Sequence, residues 1–251
     1  MALTTVEAQT RRKRSDLVVD EIKAWIVNRR MRPGDKLPNE RELIDRFNVG
    51  RGTVREALKS LETFGLVERI RGAGGGARVS SMGHDQASQL LRSFFYFEGL
   101  TWGELYELRR LVEPELAASV IDRLTADDYA ALNRTLDTCR QGAAGDVDAR
   151  THRRAELAFH EVLAARCPNP LMRFVCRFMD ELLRDFVVAD DVLQTDGGRF
   201  ARCTLTAHEE LLAAFRAGDA DAVRERMRAH IDEAGCIITE QEAKRESCLL
   251  L

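Results

Sequence analysis

The stretch from Leu37 to Leu58, LPNERELIDRFNVGRGTVREAL, constrains the fold of this chain more than any other. Asn39 offers an N-cap to a run of charged residues with apolar positions at helical spacing, so a short helix is predicted there. Asn48-Val49-Gly50 supplies a turn, and a further helix is predicted from about Arg51 to Phe64. Two short helices joined by a tight turn form a helix-turn-helix arrangement.

The second of these helices has two different faces. Its apolar face would pack against a core and contains Val54, Ala57, Leu58 and Leu61. Its polar face contains Arg51, Thr53, Arg55 and Lys59. A helix that enters the major groove of DNA needs this division, with an apolar stripe for anchoring and side chains that reach phosphates and base edges.

The residues on both sides complete a small domain over residues 15–81. Apolar residues at helical spacing predict a first helix over about 16–30, with Ser15 as its N-cap and a Pro-Gly turn at its end. After Gly65, the β-like runs LVERI and ARVSS are separated by RGAGGG, which predicts a β-hairpin wing. Residues 1–14 form a basic arm whose folding is not specified.

The distribution of charge separates the two ends of the 251-residue chain, whose length favours two domains. Residues 1–82 contain 17 Lys and Arg against 11 Asp and Glu, whereas residues 83–251 contain 21 against 30. A basic first domain on an acidic body indicates that one end meets a polyanion. No run of about 18 apolar residues and no signal-peptide core is present, so a cytoplasmic location without a membrane partner is expected.

The remainder of the chain is predicted to be all helical. After a polar hinge at residues 80–83, helical blocks are predicted at about 85–97, 101–123, 125–140, 149–166, 169–190, 199–217 and 219–243. We therefore expect a mainly α protein, with a bundle of six or seven helices over residues 84–243 and a short tail at 244–251. The six cysteines form no C-x-x-C pair and are expected to be reduced packing residues.

Three histidines and a glutamate in this bundle are candidates for a metal site. His160 lies four residues after Glu156, so both side chains share one helical face. His208 and His230 lie ten and twelve residues from Gly218, so an antiparallel hairpin of the two helices would bring them to one level. A single such histidine is more often an ordinary packed or surface imidazole. Three histidines and a carboxylate buried together need partners that offset the cost of burying polar groups, and a divalent cation is such a partner. The sequence does not distinguish zinc, nickel and manganese.

The run PGDKLPNERELIDRFNVGRGTVREALKSLETFGLVERIRGAGGGARV resembles the winged helix-turn-helix of GntR-family bacterial transcription regulators over residues 15–80. The resemblance implies that operator DNA is contacted by Arg41, Arg51, Thr53 and Arg55, and that Gly72 lies at the wing tip in the minor groove. Gly50 departs from the family pattern, which usually has Ser or Thr there. This departure removes a hydroxyl that would contact phosphate.

The second domain resembles the all-helical effector domain, of the FCD type, of the fatty-acid-regulator subfamily. The resemblance rests on ELYELRRLVEPELAA, AFHEVLAARCPNP and AHEELLAAFRAGDADAVRERMRAHI. It implies that His160, His208 and His230 are metal ligands, with Glu156 at the position of an aspartate ligand. It also places Arg109 towards the effector cavity, where a guanidinium would suit a small carboxylate. A salt bridge from Arg109 to Glu113 is the alternative.

These observations favour a ligand-responsive transcription regulator, expected to be a repressor, that binds a pseudo-palindromic operator as a homodimer and is not an enzyme. Its expected partners are double-stranded operator DNA and a carboxylate effector, with a divalent metal ion as cofactor. Two other classes of protein remain open. One is a metal-dependent hydrolase or lyase with a DNA-binding appendage, and the other is an architectural DNA binder without an effector.

Overall fold

The computed structural model describes residues 12–70, 76–189 and 198–249, with side chains described outside 185–189 and 242–249. The chain forms two compact units, Met1–Ala87 and Ser88–Leu251. The described part is mainly helical, which confirms the predicted fold class. Within these ranges, no helix combines the length and apolar character needed to span a membrane.

Over residues 12–70 and 76–79, the first unit contains three helices and a two-stranded antiparallel sheet. The elements are α1 (Arg14–Asn28), α2 (Glu40–Phe47), α3 (Arg51–Thr63), β1 (Val67–Ile70) and β2 (Gly76–Val79). Val67 pairs with Val79, and the segment before α2 joins the other side of β2, where the Leu37 amide donates to the Ala77 carbonyl at 2.9 Å. The predicted wing tip, Gly72, lies outside the described residues.

Local capping explains where α2 begins and ends. The Glu42 amide donates to Asn39 Oδ1 at 3.0 Å, and the Asn39 amide donates to Glu42 Oε2 at 2.8 Å, which forms a capping box. Asn48 ends the helix in the left-handed region, with φ of 48°. The prediction that Ser15 caps α1 was wrong, because α1 begins at Arg14 and Ser15 is buried in its first turn.

Apolar side chains from all parts of the first unit share one core. Ile22 of α1, Leu43 of α2 and Leu61 of α3 are fully buried there, and Val67 and Val79 of the sheet pack against the same cluster. Burial of this face of α3 leaves its opposite face to solvent. The described elements therefore form the helix-turn-helix and wing strands that the sequence predicts.

In its described residues, the second unit is built on seven α-helices and a short 3-10 helix. The α-helices are α4 (His84–Glu98), α5 (Trp102–Ser119), α6 (Ala126–Ala144), α7 (Ala149–Arg166), α8 (Pro170–Ala189), α9 (Arg199–Ala217) and α10 (Ala220–Leu249). The helix predicted over 101–123 ends earlier, at Ser119, and a short 3-10 helix covers Ile121–Arg123. The predicted end near Arg140 was also too early, because α6 continues to a left-handed cap at Gly145.

The core of the bundle lies where α5, α6, α7, α8, α9 and α10 meet. Capping boxes at Thr101 with Glu104 and at Thr125 with Asp128 begin α5 and α6, and Gly218 ends α9 in the left-handed region. Gly218 allows α10 to turn back and pack along α9. This hairpin brings distant polar side chains into an otherwise apolar interior.

Candidate metal centre and nucleic-acid interface

Four buried side chains from three helices converge in the interior of the second unit. Glu156 and His160 lie one turn apart on α7, His208 lies on α9 and His230 lies on α10. One potential ligand atom from each residue lies within 4.8 Å of the ligand atoms of the other three. The structure thus brings together the four residues that the sequence selected as candidate ligands.

The three imidazole rings face one another with their Nε2 atoms. The Nε2 atoms of His160 and His230 lie 3.2 Å apart, those of His160 and His208 lie 3.2 Å apart, and those of His208 and His230 lie 3.1 Å apart. One ion bound by nitrogens at ~2.0–2.1 Å holds those nitrogens roughly 2.8–3.0 Å apart at octahedral angles and roughly 3.3–3.4 Å apart at tetrahedral angles, and the observed distances lie between these values. The triangle of nitrogens therefore fits a single divalent ion.

Glu156 supplies an oxygen beside this triangle. Its Oε2 accepts a hydrogen bond from Arg153 Nη1 at 2.5 Å, which orients the carboxylate. Its Oε1 lies 3.7 Å from His160 Nε2 and 3.8 Å from His230 Nε2. This oxygen is buried and has no hydrogen-bond partner among the described residues. A buried carboxylate oxygen without a donor is well suited to a cation.

Glu113 of α5 contacts His160 at Nδ1, the ring nitrogen that does not face the other two histidines. His160 Nδ1 lies 2.7 Å from Glu113 Oε2, so the Nδ1–H group donates to the carboxylate and leaves the Nε2 lone pair facing the other histidines. Arg109, one turn earlier on α5, forms two hydrogen bonds with the same carboxylate. Sequence reasoning treated Glu113 only as a salt-bridge partner and missed this contact with His160.

Burial sets the protonation of the polar groups in this interior. It lowers the pKa of His208 and His230 well below 6.5, and the neighbouring imidazoles lower both pKa values further. Burial raises the pKa of Glu113, but Arg109 and His160 outweigh it and hold the pKa below its usual range. At neutral pH the site therefore holds neutral His208 and His230 beside ionised Glu113, and neutral imidazole is the form that binds metal.

The two arginines of this network are both buried. Arg153 bridges Glu156 and the Tyr106 hydroxyl, to which its Nη2 donates at 3.1 Å. Arg109 stacks over the Tyr106 ring with 5.0 Å between Cζ and the ring centroid. The salt bridge to Glu113 that the sequence offered as an alternative for Arg109 is present, yet Arg109 Nη1 is buried with no hydrogen-bond partner in the described ranges.

Asp180 of α8 was missed by sequence reasoning. Its side chain is 1% exposed, and neither carboxyl oxygen has a hydrogen-bond partner among the described residues. The only sequence signal is an acid on the apolar side of RFVCRFMDELL. Burial raises its pKa well above the ordinary value, and Glu113 adds to this while Arg109 opposes it. Asp180 thus lies within electrostatic range of the α5 ion pair.

A cleft between α9 and α10 reaches one member of the cluster. Its volume is about 600 Å³, and His230 forms part of its wall. An ion pair between Arg226 of α10 and Glu210 of α9 also lines it. The cleft therefore borders His230 of the candidate metal centre.

The predicted DNA-contacting side chains lie on the first unit. Arg41 of α2 and Arg51 and Arg55 of α3 are exposed, and Thr53 is half-buried. Arg55 Nε donates to Glu40 Oε1 at 2.6 Å, so this arginine is engaged by a carboxylate in the free protein. Arg41 and Arg51 thus present charge to solvent, whereas Arg55 presents a neutralised pair.

Comparison with known proteins agrees with both halves of the structure. Residues 14–76 match the family model "Bacterial regulatory proteins, gntR family", and residues 104–233 match the FCD domain model. The transcriptional repressor NanR of Edwardsiella tarda is 30% identical over 229 residues, covering 88% of this chain and 84% of the relative. The transcriptional regulator LutR of Bacillus subtilis is 28% identical over 207 residues, covering 82% of this chain and 92% of the relative.

A solved structure has the same architecture. The chain is similar to the Streptococcus agalactiae GntR structure with a TM-score of 0.58 and 26% identity, covering 88% of this chain and 98% of that one. A winged helix-turn-helix joined to a helical bundle with a buried polar centre defines a DNA-binding transcription regulator with an effector domain. The chain belongs to the GntR family of bacterial regulators, and its second unit is an FCD domain. It is a regulator and not an enzyme.

Proposed function

We propose that this chain is a repressor that binds a pseudo-palindromic operator as a homodimer and releases or engages DNA in response to a small carboxylate bound at a divalent metal ion. The observation that carries the proposal is the convergence of Glu156, His160, His208 and His230 in a chain whose other unit is a winged helix-turn-helix. Relatives named as transcriptional repressors support the direction of control.

The exposed face of α3 supports sequence-specific binding of DNA. Arg51 lies at the first residue of α3, where an arginine reaches the edge of a base in the major groove. Arg41 and Arg55 would contact phosphates beside it, and Gly72 is proposed for the minor groove. Phosphate contacts set affinity and register, whereas base contacts set sequence preference.

The polar interior of the second unit supports effector binding. A divalent ion held by the four ligands would supply a Lewis acid for one carboxylate oxygen of an effector. Arg109 Nη1 is buried without a partner and is suited to donate to the same carboxylate. The effector would change operator affinity only if it binds the operator-competent and the incompetent arrangement with different affinities.

An apolar face of α4 supports a dimer. Leu90, Phe94 and Phe97 recur at helical spacing and are 61%, 56% and 85% exposed. Large exposed apolar side chains on one face of a helix favour burial against another surface. A second copy of this chain is the proposed occupant, since two recognition helices match the two half-sites of a palindromic operator.

Metal analysis combined with operator binding tests the proposal. Metal-loaded full-length protein should contain one ion per chain by elemental analysis, and His208→Ala and His230→Ala should each lose it. Neither substitution touches the first unit, so DNA binding by these variants should keep a wild-type salt slope, which reports phosphate contacts. Stoichiometric metal in both variants would disprove the ligand set.

A panel of carboxylates added to the metal-loaded protein completes the test. A member of the panel should shift both the melting temperature and operator affinity, and chelator should remove both effects. Absence of metal together with an unchanged melting temperature across the panel would instead favour the architectural DNA binder. A salt-independent affinity would contradict DNA binding through the basic unit.

A further inference from the structure

Tyr106 of α5 contacts both buried arginines of the candidate metal centre. Its hydroxyl accepts a hydrogen bond from Arg153 Nη2 at 3.1 Å, and its ring faces the Arg109 guanidinium with 5.0 Å between Cζ and the ring centroid. All three residues are buried. Tyrosine suits this position because its hydroxyl oxygen accepts a hydrogen bond from one cation while the face of its ring attracts another.

Each of these arginines orients one carboxylate beside the histidines. Arg153 Nη1 donates to Glu156 Oε2 at 2.5 Å, which leaves the other oxygen, Oε1, beside the histidine cluster. Arg109 forms two hydrogen bonds with Glu113, whose Oε2 lies 2.7 Å from His160 Nδ1. A candidate ligand, and the carboxylate that supports another ligand, therefore both depend on arginines that contact one tyrosine.

The ring of Tyr106 packs against Gly235 of α10 without room for a further atom. A Cβ atom at Gly235 would lie 3.0 Å from Cδ1, 3.1 Å from Cγ and 3.2 Å from Cβ of the tyrosine. Glycine is unfavourable inside a helix, and the backbone at Gly235 does not require it, because its φ is not positive. The close approach of the ring is the physical reason for a glycine at this position.

Resting on the proposed function, we propose that Tyr106 is a positioning residue of the metal centre, which holds Arg153 so that Glu156 presents Oε1 to the ion. The ring of the same tyrosine steadies Arg109, and Gly235 provides the space in which the ring lies. The ion would be bound by the glutamate and the three histidines, whereas the tyrosine acts through the two arginines that it contacts.

The tyrosine hydroxyl matters because Arg153 is a buried cation. A buried donor that loses its acceptor bears the cost of its desolvation, so the guanidinium turns towards another acceptor. Glu156 Oε1 has no hydrogen-bond partner among the described residues and is able to accept. A guanidinium and a carboxylate readily form such a bidentate pair, which would compete with the ion for this oxygen. The Tyr106 hydroxyl therefore keeps Oε1 available.

Tyr106→Phe tests the hydroxyl, because it keeps the ring and removes a single oxygen. Cobalt(II) binding to the full-length protein is measured by competition with a chelator, and the absorption spectrum is recorded at saturating cobalt. The variant should still bind one ion per chain, with an affinity about three- to tenfold weaker, at or below the low end of the effect of a ligand's direct hydrogen-bond partner. The spectrum should also change, because loss of a carboxylate ligand alters the geometry around the ion.

Tyr129→Phe is the matched control for the hydroxyl. The Tyr129 hydroxyl donates to the Phe215 carbonyl at 3.2 Å, in the same unit but outside the network of the two arginines. This variant should keep the wild-type affinity and spectrum. If Tyr106→Phe matches Tyr129→Phe in both measurements, the positioning role of Tyr106 is overturned. Failure of wild-type protein to bind cobalt would overturn the proposed metal centre, and the positioning role with it.

Gly235→Ala tests the same relationship from the other helix. The added methyl group should displace the Tyr106 ring and weaken cobalt binding, although alanine is the better helix former. Gly103→Ala is the control, because Gly103 lines the same groove between α5 and α10. A Cβ atom there would come no closer than 4.0 Å to a neighbouring side chain, so this variant should bind cobalt like wild type.

A double variant distinguishes this coupling from a general loss of stability. If Gly235 acts through the Tyr106 ring, Tyr106→Phe combined with Gly235→Ala should weaken cobalt binding by less than the product of the two separate fold-changes. Independent effects of the two substitutions, or equal cobalt affinity in Gly235→Ala and Gly103→Ala, would overturn the assignment of Gly235.

Discussion

His160 Nδ1 lies 2.7 Å from Glu113 Oε2, which links the candidate metal centre on α7 to the buried ion pair of α5. The contact fixes the tautomer and the orientation of the imidazole, and it leaves Nε2 facing His208 and His230. Arg109 holds the other side of the same carboxylate. Glu113 therefore couples the residue proposed to bind the effector with a residue proposed to bind the metal.

Glu113→Gln should weaken metal binding without removing a ligand. Loss of the anionic acceptor behind a metal-binding histidine costs about 10–100-fold in metal affinity. The substitution also leaves buried Arg109 without its counter-charge, so the free energy of unfolding should fall by roughly 3 kcal/mol. Chelator competition measures the affinity, and urea denaturation of metal-free protein measures the stability.

Glu115→Gln is the matched control for this experiment. Glu115 lies on the same helix but is exposed and pairs with Arg224 at the surface. Exposed ion pairs contribute about 0–1 kcal/mol, so this variant should stay close to wild type in both measurements. Equal metal affinity in the two variants would refute the supporting role of Glu113.

Acidification below pH 6.5 should destabilise the metal-free protein. The folded-state pKa values of His208 and His230 lie below 6.5, so below this pH the unfolded chain binds more protons than the folded chain. The stability that the neutral forms of these histidines contribute is complete above their pKa in the unfolded chain, and it is lost as the pH falls below that pKa. Each histidine contributes a slope of up to about 1.4 kcal/mol per pH unit.

Asp180 should act in the opposite direction on acidification. Its folded-state pKa is raised above the ordinary value of 3.8, so the folded chain retains a proton that the unfolded chain has released. Asp180→Asn should therefore steepen the loss of stability on acidification, as measured by urea midpoints at several pH values. Stability of the metal-free Asp180→Asn variant that is flat or rises on acidification would contradict the burial of neutral histidines, because this variant lacks the opposing effect of Asp180.

Arg51→Ala should reduce operator affinity by about 1–3 kcal/mol if this arginine reads a base. The loss should be larger on the operator than on unrelated DNA of equal length, because a base contact contributes specificity. Fluorescence anisotropy with both duplexes measures the difference. Arg110→Ala removes an exposed arginine from the second unit and serves as the control. Unchanged affinity and specificity would remove Arg51 from the interface.

Glu40→Gln should strengthen DNA binding. Glu40 accepts a hydrogen bond from Arg55, and this contact competes with any phosphate for the guanidinium. Release of an exposed ion pair contributes at most about 1 kcal/mol, so the gain should be no more than about fivefold. Glu21→Gln on α1 is the control, because it makes the same change of charge at an exposed residue that is not part of the Glu40–Arg55 pair. An equal gain in both variants would show a general charge effect and no role for the Arg55 pair.

Gly50→Ser should restore a side-chain cap to α3. Gly50 is the N-cap residue with φ of −70°, no side-chain cap is present, and a Cβ atom would meet nothing within 4 Å. Serine should stabilise the first unit by a few tenths of a kcal/mol, which thermal melting would detect. Tighter operator binding would indicate that the hydroxyl also contacts phosphate, and a lower melting temperature would contradict the capping argument.

Local rules were sufficient for much of the fold. Asn39 begins α2 and Gly218 ends α9, because a cap depends on backbone groups a few residues away. The same rules failed at Ser15, where burial against the core outweighs capping. The end of α5 at Ser119 was also missed, since a change from α-helix to a 3-10 turn leaves the apolar spacing almost unaltered.

The candidate metal ligands could be selected from spacing because helical geometry relates positions along one chain. A separation of four residues brings Glu156 and His160 to one face, and near-equal distances from Gly218 bring His208 and His230 to one level. The contact of Glu113 with His160 and the burial of Asp180 followed from no such spacing. Both depend on the packing of α5, α7 and α8, and the burial and protonation of a carboxyl group are set by atoms far away in sequence.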